Sequence, residues 1–187
     1  MKDNLSLNKS ISNETEALLN NQVKMEAEAS AHYLSMASWC DLKGYVNSAK
    51  FLYDHADEER MHKMKLFHYI NDAGGLALEP EIKGLTHNYD TLRQVFQLIL
   101  DHELKVTRSI NEIVQHCYNA KDFATLNFIQ WYVSEQREEE VMSRRALELF
   151  DIIGEEGIGL WTIDQEIGKL HQSISGTETG MDPTAST

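Results

Sequence analysis

In the stretch LYDHADEERMHKMKLFHYINDA, Leu52 to Ala73, a carboxylate and an imidazole interrupt an apolar helical stripe. Leu52, Ala56, Glu59, Leu66, Ile70 and Ala73 share one face at helical spacing, with His55 and His62 beside them. Glu59 and His62 are separated by three residues, so both side chains point the same way from neighbouring turns. A buried, unpaired carboxylate is costly and requires a partner. Glu-x-x-His on the inward face of a helix can supply one by holding a metal ion together with ligands from other helices.

The same interruption recurs along the chain. Glu26, Glu103 and the pair Gln136 and Glu139 each break an apolar seam near the middle of a helical stretch. In a bundle of similar antiparallel helices these midpoints share one level, so four carboxylates, one imidazole and one amide converge. Four carboxylates at one site repel and would largely protonate if left alone. Two divalent cations would balance their charge, and carboxylates with a single imidazole suit iron or manganese better than zinc. A seam glutamate taken singly is more often salt-bridged than metal-bound, and His62 taken singly is more often a hydrogen-bonded core residue. Four helices with the same defect at the same depth favour the metal. Tyr33 lies two turns after Glu26 and can donate a hydrogen bond to a ligand or give up an electron, or else simply fill the core. Glu58, Glu135 and Glu138 sit one position off the seam. They read either as a solvated acidic face or as a third cation site beside the first two.

The elements that must position these groups are long helices, since the only prolines are Pro80 and Pro183. Helix A is predicted to start after an N-cap at Ser12 and to run to about Asp41, with Gly44 in the turn. Its seam is Leu19, Val23, Glu26, Ser30, Tyr33, Ala37 and Cys40. Helix B follows from about Tyr45 to Ala73, ended by Gly74-Gly75. A polar link, Leu76 to Asn88, is long enough to cross the length of a bundle. Helix C is predicted from about Tyr89 to Tyr118, with Asn88 or Asp90 near its cap, and a seam of Leu92, Phe96, Ile99, Glu103, Val106, Ile110, Ile113 and Cys117. Helix D spans about Asp122 to Ile153, with Ile129, Val133, Gln136, Glu139, Ala146 and Phe150 on its seam. A short apolar helix E covers Ile158 to Leu170. Residues 1–11 read as a flexible lead-in, 12–170 as one all-α domain and 171–187 as a flexible tail.

Composition narrows the function. Of 187 residues, 30 are acidic and 17 basic, a formal charge of −13. That disfavours nucleic acid and anionic membrane as partners and suits cations. Cys40 and Cys117 form neither a metal-type spacing nor a disulfide framework. No apolar run reaches transmembrane length, and the polar start is no signal peptide, so a reducing cytoplasm is expected.

Several segments together resemble the bacterial non-haem ferritins: MASWC at Met36–Cys40, HADEERMH at His55–His62, LNFIQWYVSEQREEE at Leu126–Glu140 and GEEGIGLWTIDQEIGKL at Gly154–Leu170. The resemblance covers about Glu14 to Leu170 and implies a ferritin-like four-helix bundle with a long B–C crossover and a short fifth C-terminal helix. It implies an iron-storage protein with ferroxidase activity, oxidising Fe(II) with dioxygen or peroxide and storing the product as ferric oxide inside a hollow cage of twenty-four chains. By that resemblance Glu26, Glu59 and His62 hold one iron. Glu59, Glu103 and Glu139 hold a second, with Glu59 bridging. Glu58, Glu135, Glu138 and Glu139 form a third site. Gln136 is an amide near the irons and Tyr33 the nearby redox tyrosine. Bacterioferritins differ in carrying Glu-x-x-His in helix D and a haem-binding methionine directly after the helix B glutamate. Here helix D has Gln136-x-x-Glu139 and Arg60 holds the methionine position, so no haem is expected. Rubrerythrin-like peroxidases usually add a cysteine-rich iron domain, and no such cysteines exist here. A metal-free structural bundle is the remaining alternative, separable by an iron-binding assay.

Overall fold

The structure, a computed structural model, describes residues 9–175, with side chains to residue 170. Five helices follow in order: α1 (Asn13–Lys43), α2 (Val46–Asp72), α3 (Leu92–Ala120), α4 (Phe123–Ile153) and α5 (Gly159–Ser175). No strand occurs among the described residues. α1 and α2 form one antiparallel hairpin and α3 and α4 the other, joined by a crossover along the bundle. The architecture is the expected four-helix bundle with a short C-terminal helix, and α5 packs across α2 and α4. Among the described residues, no helix is long and apolar enough to cross a membrane.

Local chemistry sets the boundaries. Ser12 caps α1, its Oγ accepting from the Thr15 amide at 2.9 Å. Gly44 ends α1 at φ +85°, a left-handed conformation that a side chain would strain. Asp122 caps α4 by accepting from the Thr125 amide at 3.1 Å. The cap of α3 is Thr91, and neither Asn88 nor Asp90 takes that place. Its hydroxyl accepts from the Gln94 amide at 3.1 Å, while Gln94 Oε1 accepts from the Asp90 amide at 2.7 Å. Gln94 thus ties the first turn of α3 to both the cap and the residue before it, and the cap lies one residue past Asp90.

Two apolar clusters fill the bundle. One gathers Tyr33, Met36, Leu52, Phe96, Ile99 and Phe150 with α5's Ile163 and Ile167. The other gathers Leu19, Val23, Leu66, Ile70, Val106, Ile110 and Ile129 at the far end. Every seam residue predicted for α3 is buried. On α4 the seam runs through Tyr132, which is buried, and Val133 is 38% exposed, a correction of one position. The seam steps there from Ile129 by three residues, where four was expected.

The N-terminal lead-in expected at residues 1–11 is tied down where it is described. Ile11 is buried, and the Ser10 amide donates to the Ala73 carbonyl at 2.9 Å. Residues 1–8 lie outside the described residues, as do residues 176–187 of the expected tail, while the backbone of 171–175 continues α5.

Candidate metal centre

Each long helix passes from one apolar cluster to the other through a polar position. Glu26 lies between Val23 and Ala29, Glu59 between Ala56 and Leu66, Glu103 between Ile99 and Val106, and Glu139 between Tyr132 and Ala146. All four carboxylates are buried, at 0 to 4% exposure, so the bundle carries an anionic belt between two dry cores.

Glu26, Glu59 and His62 each offer a ligand atom, and these atoms all lie within 4.8 Å of one another. His62 Nδ1 is 3.1 Å from Glu59 Oε2, the i, i+3 pairing expected of α2. Gln22, one turn before Glu26, donates from Nε2 to Glu26 Oε1. Glu26 Oε2 and the Tyr132 hydroxyl are both buried without a well-formed hydrogen bond, although the two stand close enough for the Glu26 charge to act on the hydroxyl. A buried carboxylate oxygen without a donor is the vacancy in bonding that a cation would fill.

Glu103 is held differently. Its Oε1 accepts from the Tyr33 hydroxyl, and its Oε2 accepts from Gln136 Nε2 at 2.7 Å. Gln136 also donates to the Glu103 carbonyl at 3.1 Å, tying α4 to α3. Burial pushes the Glu103 carboxyl up. The adjacent His102 imidazole and the hydrogen bonds from Tyr33 and Gln136 outweigh burial and leave it below its ordinary value. Glu59 and Glu139 behave oppositely. Burial pushes both well above the usual carboxylate range, reinforced at Glu59 by Glu26 and Glu103, and at Glu139 by Glu103, Glu58, Glu135 and Glu138. Tyr33 is likewise pushed well up by burial and by Glu103, so its hydroxyl stays protonated and donates.

The flank residues divide. Glu58, His55 and Glu139 form a second compact group, with ligand atoms within 4.8 Å of one another. Glu135 leans to the first group instead, its Oε1 3.7 Å from His62 Nε2, which holds its carboxyl low. Glu138 stands close enough to Glu139 to act on it through its charge but joins neither compact group. Glu103 also joins neither, and its oxygens accept from Tyr33 and Gln136.

Three neighbours of the centre escaped sequence reasoning. By spacing alone His55 only flanks the stripe, yet it is one turn before Glu58 and Glu59, and its Nε2 lies 3.5 Å from Glu139 Oε2. Gln22 stands one turn before Glu26 and Tyr132 one turn before Gln136. In each case the signal is a polar group four residues upstream of a polar seam position.

The ferritin-like domain model matches residues 16–153. The chain is 42% identical over 153 residues to a probable bacterial non-heme ferritin-like protein of Haemophilus influenzae, covering 82% of this chain and 93% of the relative. It is 41% identical over 160 residues to the bacterial non-heme ferritin of Campylobacter jejuni, covering 86% and 96%. Among solved structures, an open pore ferritin from the archaeon Archaeoglobus fulgidus superposes with a TM-score of 0.81 at 35% identity, over 85% of this chain and 97% of that one.

Proposed function

The chain belongs to the ferritin family, and from that premise we propose that its anionic belt is a ferroxidase centre serving iron storage. It is an iron-storage protein. The observation that carries the site is the burial of Glu26, Glu59, Glu103 and Glu139, one from each helix, at a single level between two apolar clusters. Such a charge set is stable only when protonated or neutralised by cations.

In this reading two Fe(II) ions are the substrate. Glu26, Glu59 and His62 take one, and Glu59, Glu103 and Glu139 take the other, with Glu59 shared. Tyr33 and Gln136 orient Glu103. Glu59 and Glu139, whose carboxyls burial keeps high, release protons as the cations arrive. Each Fe(II) gives one electron. Dioxygen takes the two electrons and two protons to become hydrogen peroxide, or hydrogen peroxide takes them to become two waters. Glu58, Glu135 and Glu138 form a third station around Glu139, and the raised Glu139 carboxyl supports their proximity. Oxidised iron then passes to the mineral within a homo-oligomeric shell of twenty-four chains in the cytoplasm. No haem takes part, because an exposed Arg60 stands where a bacterioferritin carries its methionine.

Anaerobic titration of the purified protein with Fe(II), followed by an oxygen pulse, tests this. Absorbance and a count of oxidised iron should give two rapidly oxidised ions per chain, with the third filling more weakly. A chain that binds no Fe(II) at sub-stoichiometric additions would sink the reading and leave a structural bundle.

A further inference from the structure

The centre has two unlike flanks. Toward α2 and α4 it is edged by carboxylates, Glu58, Glu135 and Glu138. Toward α1 and α3 it is edged by a cavity of about 230 Å³ that contains none of the ligands proposed above. Tyr33 lines this cavity while its hydroxyl donates to Glu103 Oε1. His102 lines it too, with Nδ1 3.7 Å from the same oxygen. The cavity therefore ends one side chain away from Glu103.

Its walls are mixed. Met36 and Leu98 are apolar, while His32, Asp101, His102 and Lys105 supply polar atoms. Lys105 and Asp101 carry opposite charges. The His32 imidazole is lowered by burial and by His102 and Lys105, which favours its neutral form. The cavity thus has little net charge in a chain of formal charge −13, and it offers a cation nothing that the acidic flank does not offer better. The roof is fixed: Tyr89 donates to the Thr86 carbonyl at 2.8 Å, Ser35 Oγ donates to the same carbonyl, and the Tyr89 ring meets Trp39 edge-on at 5.6 Å.

We propose that this cavity is the binding port for the neutral oxidant, dioxygen or hydrogen peroxide, and that Fe(II) reaches the centre from the opposite, carboxylate-lined flank. The apolar walls accept dioxygen. The ring nitrogens of His32 and His102 and the Lys105 ammonium offer hydrogen-bonding partners to hydrogen peroxide. Separate routes keep the oxidant from meeting Fe(II) before the iron is seated. The proposal rests on the ferroxidase reading and adds to it a site and its ligand class.

The test fills the cavity from its solvent side. Leu98 is 40% exposed and outside the seam, so Leu98→Trp should fold. Leu98→Cys capped with a bulky maleimide is an independent plug. Cys40 and Cys117 are buried with thiols pushed up to about 12 and about 11, so the label goes to the introduced thiol. Oxidation rates are measured against oxidant concentration at saturating Fe(II), once with dioxygen and once with hydrogen peroxide, beside anaerobic Fe(II) titrations. Both plugs should lower the apparent second-order rate in oxidant several-fold while Fe(II) stoichiometry and affinity stay as in the wild type. Slowing with one oxidant alone assigns the port to that oxidant. Unchanged rates with both oxidants in both plugged proteins would overturn the proposal, as would a parallel loss of Fe(II) binding. A wild-type chain that does not oxidise Fe(II) would instead remove the ferroxidase reading beneath it.

Discussion

At the scale of single residues, the centre is defined by charge that the bundle buries at a cost. Glu59→Ala and His62→Ala are expected to abolish rapid Fe(II) oxidation while leaving the helical fold intact, since removing one member of a repelling set relieves repulsion. Stopped-flow absorbance with circular dichroism decides this, and wild-type rates in both folded variants would refute the dinuclear site. Glu135→Ala and Glu138→Ala should change the iron oxidised per oxygen without stopping the first turnover, which oximetry at fixed iron can read. The raised carboxyls also make a pH prediction for the metal-free protein. Glu59 and Glu139 hold protons more tightly folded than unfolded, so stability should fall as pH climbs from the ordinary carboxylate range through their raised folded values. Glu103 is lowered and works the other way, with its contribution lost only as pH falls through its folded value. Above the ordinary carboxylate range the Glu103 contribution is constant, so Glu59 and Glu139 set a decline toward neutral and alkaline pH. Melting curves of metal-free wild type and Glu59→Gln between about pH 5 and about pH 8 should show a flatter slope in the variant. Equal slopes would mean that Glu59 is not the buried proton store.

At the scale of elements, α5 supplies a bond that α2 lacks. Tyr45 stands at the N-cap of α2 with no side-chain hydrogen bond, and the first turn has no acidic residue. Asp164 of α5 fills the gap from outside. Its Oδ1 accepts from the Ser48 amide at 2.8 Å and the Ser48 hydroxyl at 2.7 Å, and its Oδ2 accepts from the Asn47 amide at 3.2 Å and Asn47 Nδ2 at 2.9 Å. Gly168, one turn on, makes room, since a Cβ there would stand 3.0 Å from Asn47 Cβ. Asp164→Ala leaves these buried donors unpaired at a cost of about 1–3 kcal/mol. It should lower the melting temperature by several degrees in a thermal scan, and an unshifted melt would show that water replaces the carboxylate. This cap was invisible in the sequence, where Asp164 is one of two acids in a short apolar helix. The α3 seam and the Glu26, Glu59 and Glu103 positions were legible because apolar periodicity in long helices is strong and a charge within it stands out. Tyr132 was missed because Val133 fits the same pattern by hydropathy, and only packing against His62 and Trp131 chooses between them. The pairing of His55 with Glu139 joins α2 to α4, and single-sequence periodicity carries no information across helices.

At the scale of the whole molecule, the question is what α5 does once it is docked. The sequence leaves two destinations for its apolar residues, its own bundle or neighbouring chains, and the structure divides them. Ile163 and Ile167 are fully buried against their own subunit. Ile158, in the turn before α5, and Trp161, in its first turn, remain 73% and 62% exposed, and a large apolar pair left in water at one end of a short helix is suited to contact with other copies. Truncation after Gly154 therefore removes both functions: it uncaps α2, opens the α5 end of the core and deletes the exposed pair. That variant should be less stable as well as less assembled, so it cannot separate the two effects. Trp161→Ala can, because it leaves Asp164, Ile163 and Ile167 in place. We expect Trp161→Ala to keep wild-type helicity and ferroxidase turnover per chain while shifting the population toward smaller species and retaining less mineral. Cutting beyond His171 should change assembly far less than either. Size-exclusion chromatography with light scattering, run on the full chain and the three variants, reads the outcome. A full-length chain that elutes as a monomer would defeat the cage even with iron oxidation intact, and a Trp161→Ala shell of wild-type size would place the assembly contacts away from α5.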